Sequence, residues 1–308
     1  MSRKYFYLLL IPTLVLSCET VIDLDIPEEE PKPVINAMMT ANEPVKVELT
    51  KSSDAMKNDE IEAIDGASVV LFREDEPVDT LVQEDTPPEL GKPRRYFSEN
   101  YEPEAGASYS IEVEAEGFDP ATAETRIPDT IGEAELVKFE KEERDFASTV
   151  WHKAVVEFPV QEGSYYTVAA VVKYEDEYDN PVSEGLDYLT PEPRLEHAGA
   201  GEFDQIIEGD VLLAGETELE LKEDDDGYIE MELYPEAAPL LGPGVDEYEY
   251  KIIIRKVTAD YKSYIRSLRE QDLYRDNPFA ERVSVYSNVD EGFGLVSGYR
   301  EKSIKLEE

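Results

Sequence analysis

Ser108-Tyr109-Ser110-Ile111-Glu112-Val113-Glu114-Ala115-Glu116 alternates without a break, with Tyr109, Ile111, Val113 and Ala115 on one side and hydroxyls and carboxylates on the other. Successive side chains of a strand point to opposite faces, so this stretch reads as a β-strand with one buried and one wet face. A half-wet strand belongs to an antiparallel sheet that packs on one side only. Working outward, the same alternation recurs: Val45, Val47 and Leu49 oppose Lys46 and Glu48, residues 66–72 begin another strand, and Arg95-Tyr96-Phe97 a further one. Turn residues separate these runs at the spacing of about 8–12 residues that marks a sandwich.

Residues 34–128 are therefore expected to form a β-sandwich. The phrases GASVVLF (66–72) and GASYSIEVEAEGFDPATAETRIP (106–128) resemble the immunoglobulin-like or transthyretin-like modules found in many secreted proteins. Pro128-Asp129-Thr130 marks a boundary. Beyond it, 129–308 reads as a second, larger β domain, either a sandwich or barrel-like, and the fold class is all-β with one C-terminal helix. Strands are expected at 134–140, 151–159 and 167–172. Tyr165 and Tyr166 are adjacent, so on a strand they face opposite ways and one belongs to the core. A hairpin is expected in which Leu219 and Leu221 lie beside Ile229, Met231 and Leu233 across a turn at Asp226-Gly227. Tyr248, Tyr250, Ile252 and Ile254 line one face of a further strand. Tyr261, Tyr264, Ile265 and Leu268 follow helical spacing from an N-cap at Thr258, with Asp260 in the first turn, giving a helix over about 259–276. Residues 283–286 and 294–299 read as two closing strands.

The N-terminus carries a different message. Arg3 and Lys4 precede an apolar run from Tyr5 to Leu16, the layout of a secretory signal over residues 1–17. The run is short of the ~20 residues that span a bilayer. Leu14-Val15-Leu16-Ser17-Cys18 resembles a lipobox, in which the leader is cut before a cysteine that carries diacylglycerol; Leu16 is bulkier than the usual residue. Cys18 is the only cysteine, so its acylation leaves the mature body without a disulfide, a thiol nucleophile or a cysteine metal site. Residues 18–33, with Glu28-Glu29-Glu30 among Pro27, Pro31 and Pro33, read as an extended charged tether.

The formal net charge is −43, which excludes nucleic acid as a partner because phosphate binding needs a basic patch. It also opposes lying flat on anionic lipid. Adaptation to a salty habitat, divalent cations and a cationic partner each account for such acidity.

Catalytic signals are sparse. The two histidines, His152 and His197, lack the spacing of a helical zinc pair. His152 heads the face of Ala154, Val156 and Phe158, with Trp151 opposite. No phosphate-cradling glycine loop and no nucleophile elbow occur. With 72 acidic residues, no carboxylate pair stands out, so a hydrolase remains an alternative without named residues. Calcium wants six to eight oxygens, and its candidates are Asp224, Asp225 and Asp226, and Asp176 with Asp179; no other cofactor is implied. The proline- and glycine-rich stretch 175–202 is long enough to cover or line something, which makes His197, Tyr178 and Tyr188 the ligand-loop candidates.

One resemblance spans nearly the whole chain. The lipobox, the PKPVINA opening strand (31–37), the GA-x-V-x-L strand, the Tyr165-Tyr166 strand, and a terminal helix followed by Asn277-Pro278-Phe279, Ser287-Asn288 and Gly292-Phe293-Gly294 are similar to the Bacteroidetes lipoproteins grouped as domain-of-unknown-function 4249. The resemblance implies an outer-membrane lipoprotein, often encoded beside a TonB-dependent transporter, and it supplies no catalytic residues. The acidity close behind Cys18 resembles the export signals of surface lipoproteins, so the cell surface is expected, with the periplasmic face as the alternative. The expected function is non-enzymatic binding or accessory work with that transporter, membrane attachment being through the lipid and the ligand unknown. A structural or adhesion protein of the envelope is the competing expectation.

Overall fold

The computed structural model describes residues 30–53, 61–85, 91–146, 149–175, 181–186, 188–189, 217–219, 221, 227–235, 248–274 and 284–307. In chain order the strands begin with β1 (Pro33–Met39), β2 (Lys46–Lys51), β3 (Glu62–Ala63), β4 (Ser68–Arg73), β5 (Glu76–Thr80) and β6 (Val82–Gln83). There follow β7 (Arg94–Phe97), β8 (Ser108–Glu114), β9 (Ala121–Arg126), β10 (Glu135–Phe146), β11 (Thr149–Val160) and β12 (Tyr165–Glu175). The last are β13 (Pro181–Leu186), β14 (Tyr188–Leu189), β15 (Thr217–Leu219), β16 (Gly227–Pro235) and β17 (Tyr248–Val257), then helix α1 (Ala259–Tyr274), β18 (Val289–Asp290) and β19 (Phe293–Lys305).

The opening stretch is β8, and its alternation is borne out: Tyr109, Ile111 and Val113 are buried and the residues between them are not. It lies in the sheet β18-β9-β8-β4-β5. Val69 and Leu71 of β4, with Ala121 and Ala123 of β9, share its buried face and pack on Ile35, Ala37 and Met39 of β1 and Val47 and Leu49 of β2. Burying each large aliphatic contributes roughly 1.5–3 kcal/mol, which a body without disulfides relies on. Tyr96 of β7 is also inside, its hydroxyl donating to the Ile64 carbonyl at 3.0 Å.

Three residues separate Ile127, which packs in this core, from Ile131, which packs in a second. The sheet β10-β11-β16-β14 faces the strands β13, β12, β17 and β19. Ala154, Val156 and Phe158 of β11 meet Val168, Ala170 and Val172 of β12 between them. Among the described residues neither sheet closes on itself, so the second body is a sandwich and not a barrel. Among the described residues the expected hairpin pairing is not formed. β15 pairs with β12, whereas β16 pairs with β11 and β14, so Leu219 and Met231 reach the same core from opposite sheets. Alternation specifies which face is buried, not which strand lies alongside.

α1 is the helix that Thr258 opens. The Thr258 hydroxyl accepts the Tyr261 N–H at 3.2 Å, a side-chain cap for an otherwise orphaned donor. Tyr261, Tyr264, Ile265 and Leu268 are all buried and meet Val257 and Leu295. Residues 284–286, the described part of the strand expected at 283–286, do not form one. The Tyr286 N–H donates to Ser267 Oγ at 2.8 Å and its hydroxyl donates to Asp260 at 2.5 Å, so Tyr286 is tied to the helix instead of a strand ladder.

The feature that joins everything is β19. Its first half pairs in parallel with β1, Val34 opposite Phe293 through Met39 opposite Gly298. Its second half pairs antiparallel with β17, Tyr299 opposite Val257 through Lys305 opposite Lys251. One strand thus serves both cores: Val296 packs in the first and Ile304 in the second.

Candidate functional site

The inner face of the second sandwich changes character along its length. On β12 the inward positions run Tyr166, Val168, Ala170, Val172, Tyr174, and on β17 they run Ile254, Ile252, Tyr250, Tyr248. The register sets Val172 opposite Tyr250 and Tyr174 opposite Tyr248, so rings collect at one end while aliphatics fill the rest. The facing sheet adds Phe139 of β10 and His152 of β11, and the rings touch in sequence. Phe139 and His152 lie 5.4 Å apart at 60°, His152 and Tyr250 5.1 Å at 72°, Tyr250 and Tyr248 5.3 Å at 80°. Such contacts set the positive edge of one ring on the negative face of the next. His152 is buried and Tyr248 is 50% exposed, so the row leads from core to solvent.

This row lies at the Lys305 end of β19, where the Leu306 N–H donates to the Tyr250 carbonyl at 2.8 Å. The chain enters the first sandwich at the Phe293 end, through β1. The 13 residues of β19, at about 3.3 Å each, separate the two by roughly 40 Å. Between the tyrosines, Glu249 turns to the other face and meets Lys251 and Lys305, both at 2.8 Å. Those hydrogen bonds and charges hold its carboxyl down at about 2, so the rim keeps a fixed anion already matched by two cations. Chemically, the row offers a half-open π-face on which another ring or an apolar face can stack.

The other site residues expected from the sequence divide simply. Tyr188 lies on β14, paired with Pro235 of β16. Cys18, Asp176, Tyr178, Asp179, His197, Asp224, Asp225 and Asp226 lie outside the described residues. Among the described residues no group of three or more His, Cys, Asp or Glu side chains is placed to hold a metal ion. His152 lies on the face expected for it, and Trp151 on the other. A cleft of about 420 Å³ borders the first sandwich, lined by Lys51, Asp65, Glu116, Ile64 and Phe118 among others. Its Lys51 already pairs with Glu62 at 2.8 Å, and its Asp65 with Arg94.

The residues behind the family resemblance have a different role, one the sequence reading missed. The Asn288 side chain behaves as a strand partner: its Nδ2 donates to the carbonyls of Val296 (2.8 Å) and Glu124 (3.2 Å), and its Oδ1 accepts the Val296 N–H (3.0 Å). Asn36 Oδ1 accepts the Leu295 N–H at 3.1 Å. Gly294, at φ +111°, passes so near β1 that an added Cβ would lie 2.1 Å from the Ile35 carbonyl oxygen. Gly298 is equally pressed, its would-be Cβ 2.4 Å from the Arg126 carbonyl oxygen, and its N–H donates to Thr125 Oγ1 at 2.9 Å. Every one of these contacts is made to the chain's own backbone or to a neighbouring strand. The signal was present as an asparagine, a poor strand former, in the apolar run Val34-Ile35-Asn36-Ala37.

Two β-sandwich cores laced by one shared strand, with a helix closing the outer face, define the class by architecture. Within that class the chain belongs to the family described as domain of unknown function (DUF4249), whose model matches residues 19–305. No curated protein matches it. Among solved structures, a DUF4785 family protein from Legionella pneumophila is similar at 10% identity and a TM-score of 0.23, over 73% of this chain and 52% of that one. This chain thus spans about half the length of that protein. The Dpr2 Ig1-Ig2 structure in complex with DIP-Theta Ig1-Ig3 is similar at 14% identity and a TM-score of 0.22, over 72% of this chain and 92% of that one. At these scores neither superposition amounts to a shared fold.

Proposed function

We propose that this protein is an outer-membrane lipoprotein, held by an acylated Cys18, that binds a ligand without transforming it and works beside a TonB-dependent transporter. The observation that carries the reading is where the side chains of the family signature go. Asn36, Asn288 and Gly294 of that signature, with Gly298 just beyond it, lace β19 to its neighbours, so the signature encodes a scaffold. A scaffold placed behind a secretory leader, a lipobox and a charged tether suits presentation of a surface. The surface that suits a ligand best is the ring row ending at Tyr248, whose π-face can stack on the C–H face of a sugar or on another ring.

The test is a tagged chain recovered from gently solubilised native membranes, beside its Cys18→Ser variant. The reading expects the parent in the membrane fraction with a transporter co-purifying, and the variant released and alone. A membrane-bound Cys18→Ser protein would overturn the anchor. A parent recovered alone would overturn the partnership and favour an envelope structural or adhesion role.

A further inference from the structure

Resting on that anchored reading, we propose a mechanical function for the β1–β19 pair: it is a clamp that passes tension from the tether to the second sandwich and leaves residues 40–127 outside the force path. The tether joins the body immediately before β1. From there β1 runs parallel to β19 over six register pairs, and β19 continues past the end of β1 to pair with β17. A pull on the tether is therefore directed along β1, away from the far end of β19. It loads all the evenly spaced bonds of the parallel ladder in shear, so they resist together. A perpendicular pull would open the same bonds one after another.

Two asparagine side chains reinforce this path. The Asn36 side chain ties β1 to the Leu295 N–H, and the Asn288 side chain ties both polar backbone groups of Val296. Lys32, at the point of entry, exchanges bonds with Ser52: the Ser52 N–H donates to the Lys32 carbonyl and the Lys32 N–H to Ser52 Oγ, both at 2.9 Å. Ile35, Ala37 and Met39 are buried in the first core while Met38 packs against the α1 cluster, so sliding β1 by one residue would exchange its buried and outward faces. The covalent route between the cores through residues 128–130 is reached only by way of residues 40–127, so it takes up load only once the β1–β19 ladder has yielded.

The experiment is single-molecule pulling on the mature chain carrying Cys18→Ser, a background free of other cysteines in which thiol handles can be placed at will. One version carries Glu30→Cys with Glu307→Cys, loading β1 against β19 in shear. The other carries Glu30→Cys with Ser53→Cys, peeling β1 from β2, to which it is antiparallel with Pro33 opposite Lys51. Equal thermal melting of the two versions establishes that both are folded. The clamp expects a peak force several-fold higher for the first pair, lowered by Asn36→Ala. Equal peak forces for the two pairs overturn it. The anchor is judged separately by fractionation of Cys18→Ser, so a failed clamp leaves that reading standing and a failed anchor leaves the measured force geometry intact.

Discussion

Gly294→Ala should unlace the two sandwiches, and its cost can be worked from the structure. Gly294 sits at φ +111°, where a Cβ meets backbone, and a non-glycine residue in such a region is strained by about 1–3 kcal/mol. The new methyl would lie 2.1 Å from the Ile35 carbonyl oxygen and 2.9 Å from Asn36 Oδ1, so β1 must move, at about 1–3 kcal/mol for overpacking. Shifting Asn36 also weakens its bond to the Leu295 N–H, worth about 1 kcal/mol. Together the loss is roughly 3–7 kcal/mol, a large share of the 5–15 kcal/mol that holds a typical domain folded. Gly117→Ala separates the contributions, because Gly117 has φ +87° with no neighbouring atom within 4 Å of the added carbon. It should cost only the strain, about 1–2 kcal/mol. Urea denaturation of the Cys18→Ser chain, followed by tyrosine fluorescence and circular dichroism, measures both. If the two substitutions cost the same, close packing of β1 on Gly294 is not what the glycine provides, and the shared-strand reasoning fails.

Other outcomes follow from the same contacts. Asn288→Ala strands one N–H and two carbonyls of the main chain and should lower stability by about 2–4 kcal/mol in the same melt; a loss below about 0.5 kcal/mol would mean that water replaces the amide without penalty. Thr258→Ala should cost about 1 kcal/mol through the lost cap, read as a lower urea midpoint with an unchanged slope. Burial pushes the Tyr264 phenol up to about 12, against about 10 in an unfolded chain; its contribution is therefore whole below pH 10 and lost as pH rises toward 12, some 2–3 kcal/mol that Tyr264→Phe should remove from an alkaline titration of stability. Tyr248→Ala should leave stability within about 1 kcal/mol, since the ring is half exposed, yet diminish what co-purifies from native membranes; unchanged recovery would dismiss the ring row as a binding surface.

The elements that could be read from sequence are those decided by their own periodicity. β8 and the buried face of α1 each carry an unbroken pattern and pack on one side only, so pattern and burial coincide, whereas in β2 Glu48 on the outward face is buried too, paired with Arg95. Partner choice was not legible, because it depends on residues far away in the chain. Leu219 and Met231 both carried the right face, yet they belong to different sheets. Val285 and Tyr286 looked like strand residues, and a hydroxyl on α1 captured the backbone N–H that a ladder would have needed. The ring row was half legible. The face shared by Tyr248 and Tyr250, and the face headed by His152, each appear in the sequence, but their meeting at one end is a product of two strand registers.

That meeting point bears on function through its distance from the tether. β19 is the ruler: its Phe293 end lies beside the strand that the tether enters, and its Lys305 end lies beside the tyrosines. If the body is anchored as proposed, a pull at the Phe293 end of a strand roughly 40 Å long would set the Lys305 end away from the attachment point. A flexible junction between the two sandwiches would forfeit that separation. The shared strand prevents it by making the junction part of a continuous ladder, and Gly298, pressed against Arg126 and Ile127, closes the remaining gap beside residues 128–130. Loosening the lacing should therefore impair binding even where both cores stay folded and Tyr248 is untouched. A Gly298→Ala chain that keeps its circular dichroism but loses its membrane partner would separate orientation from surface chemistry, and full recovery of the partner would show that orientation does not matter.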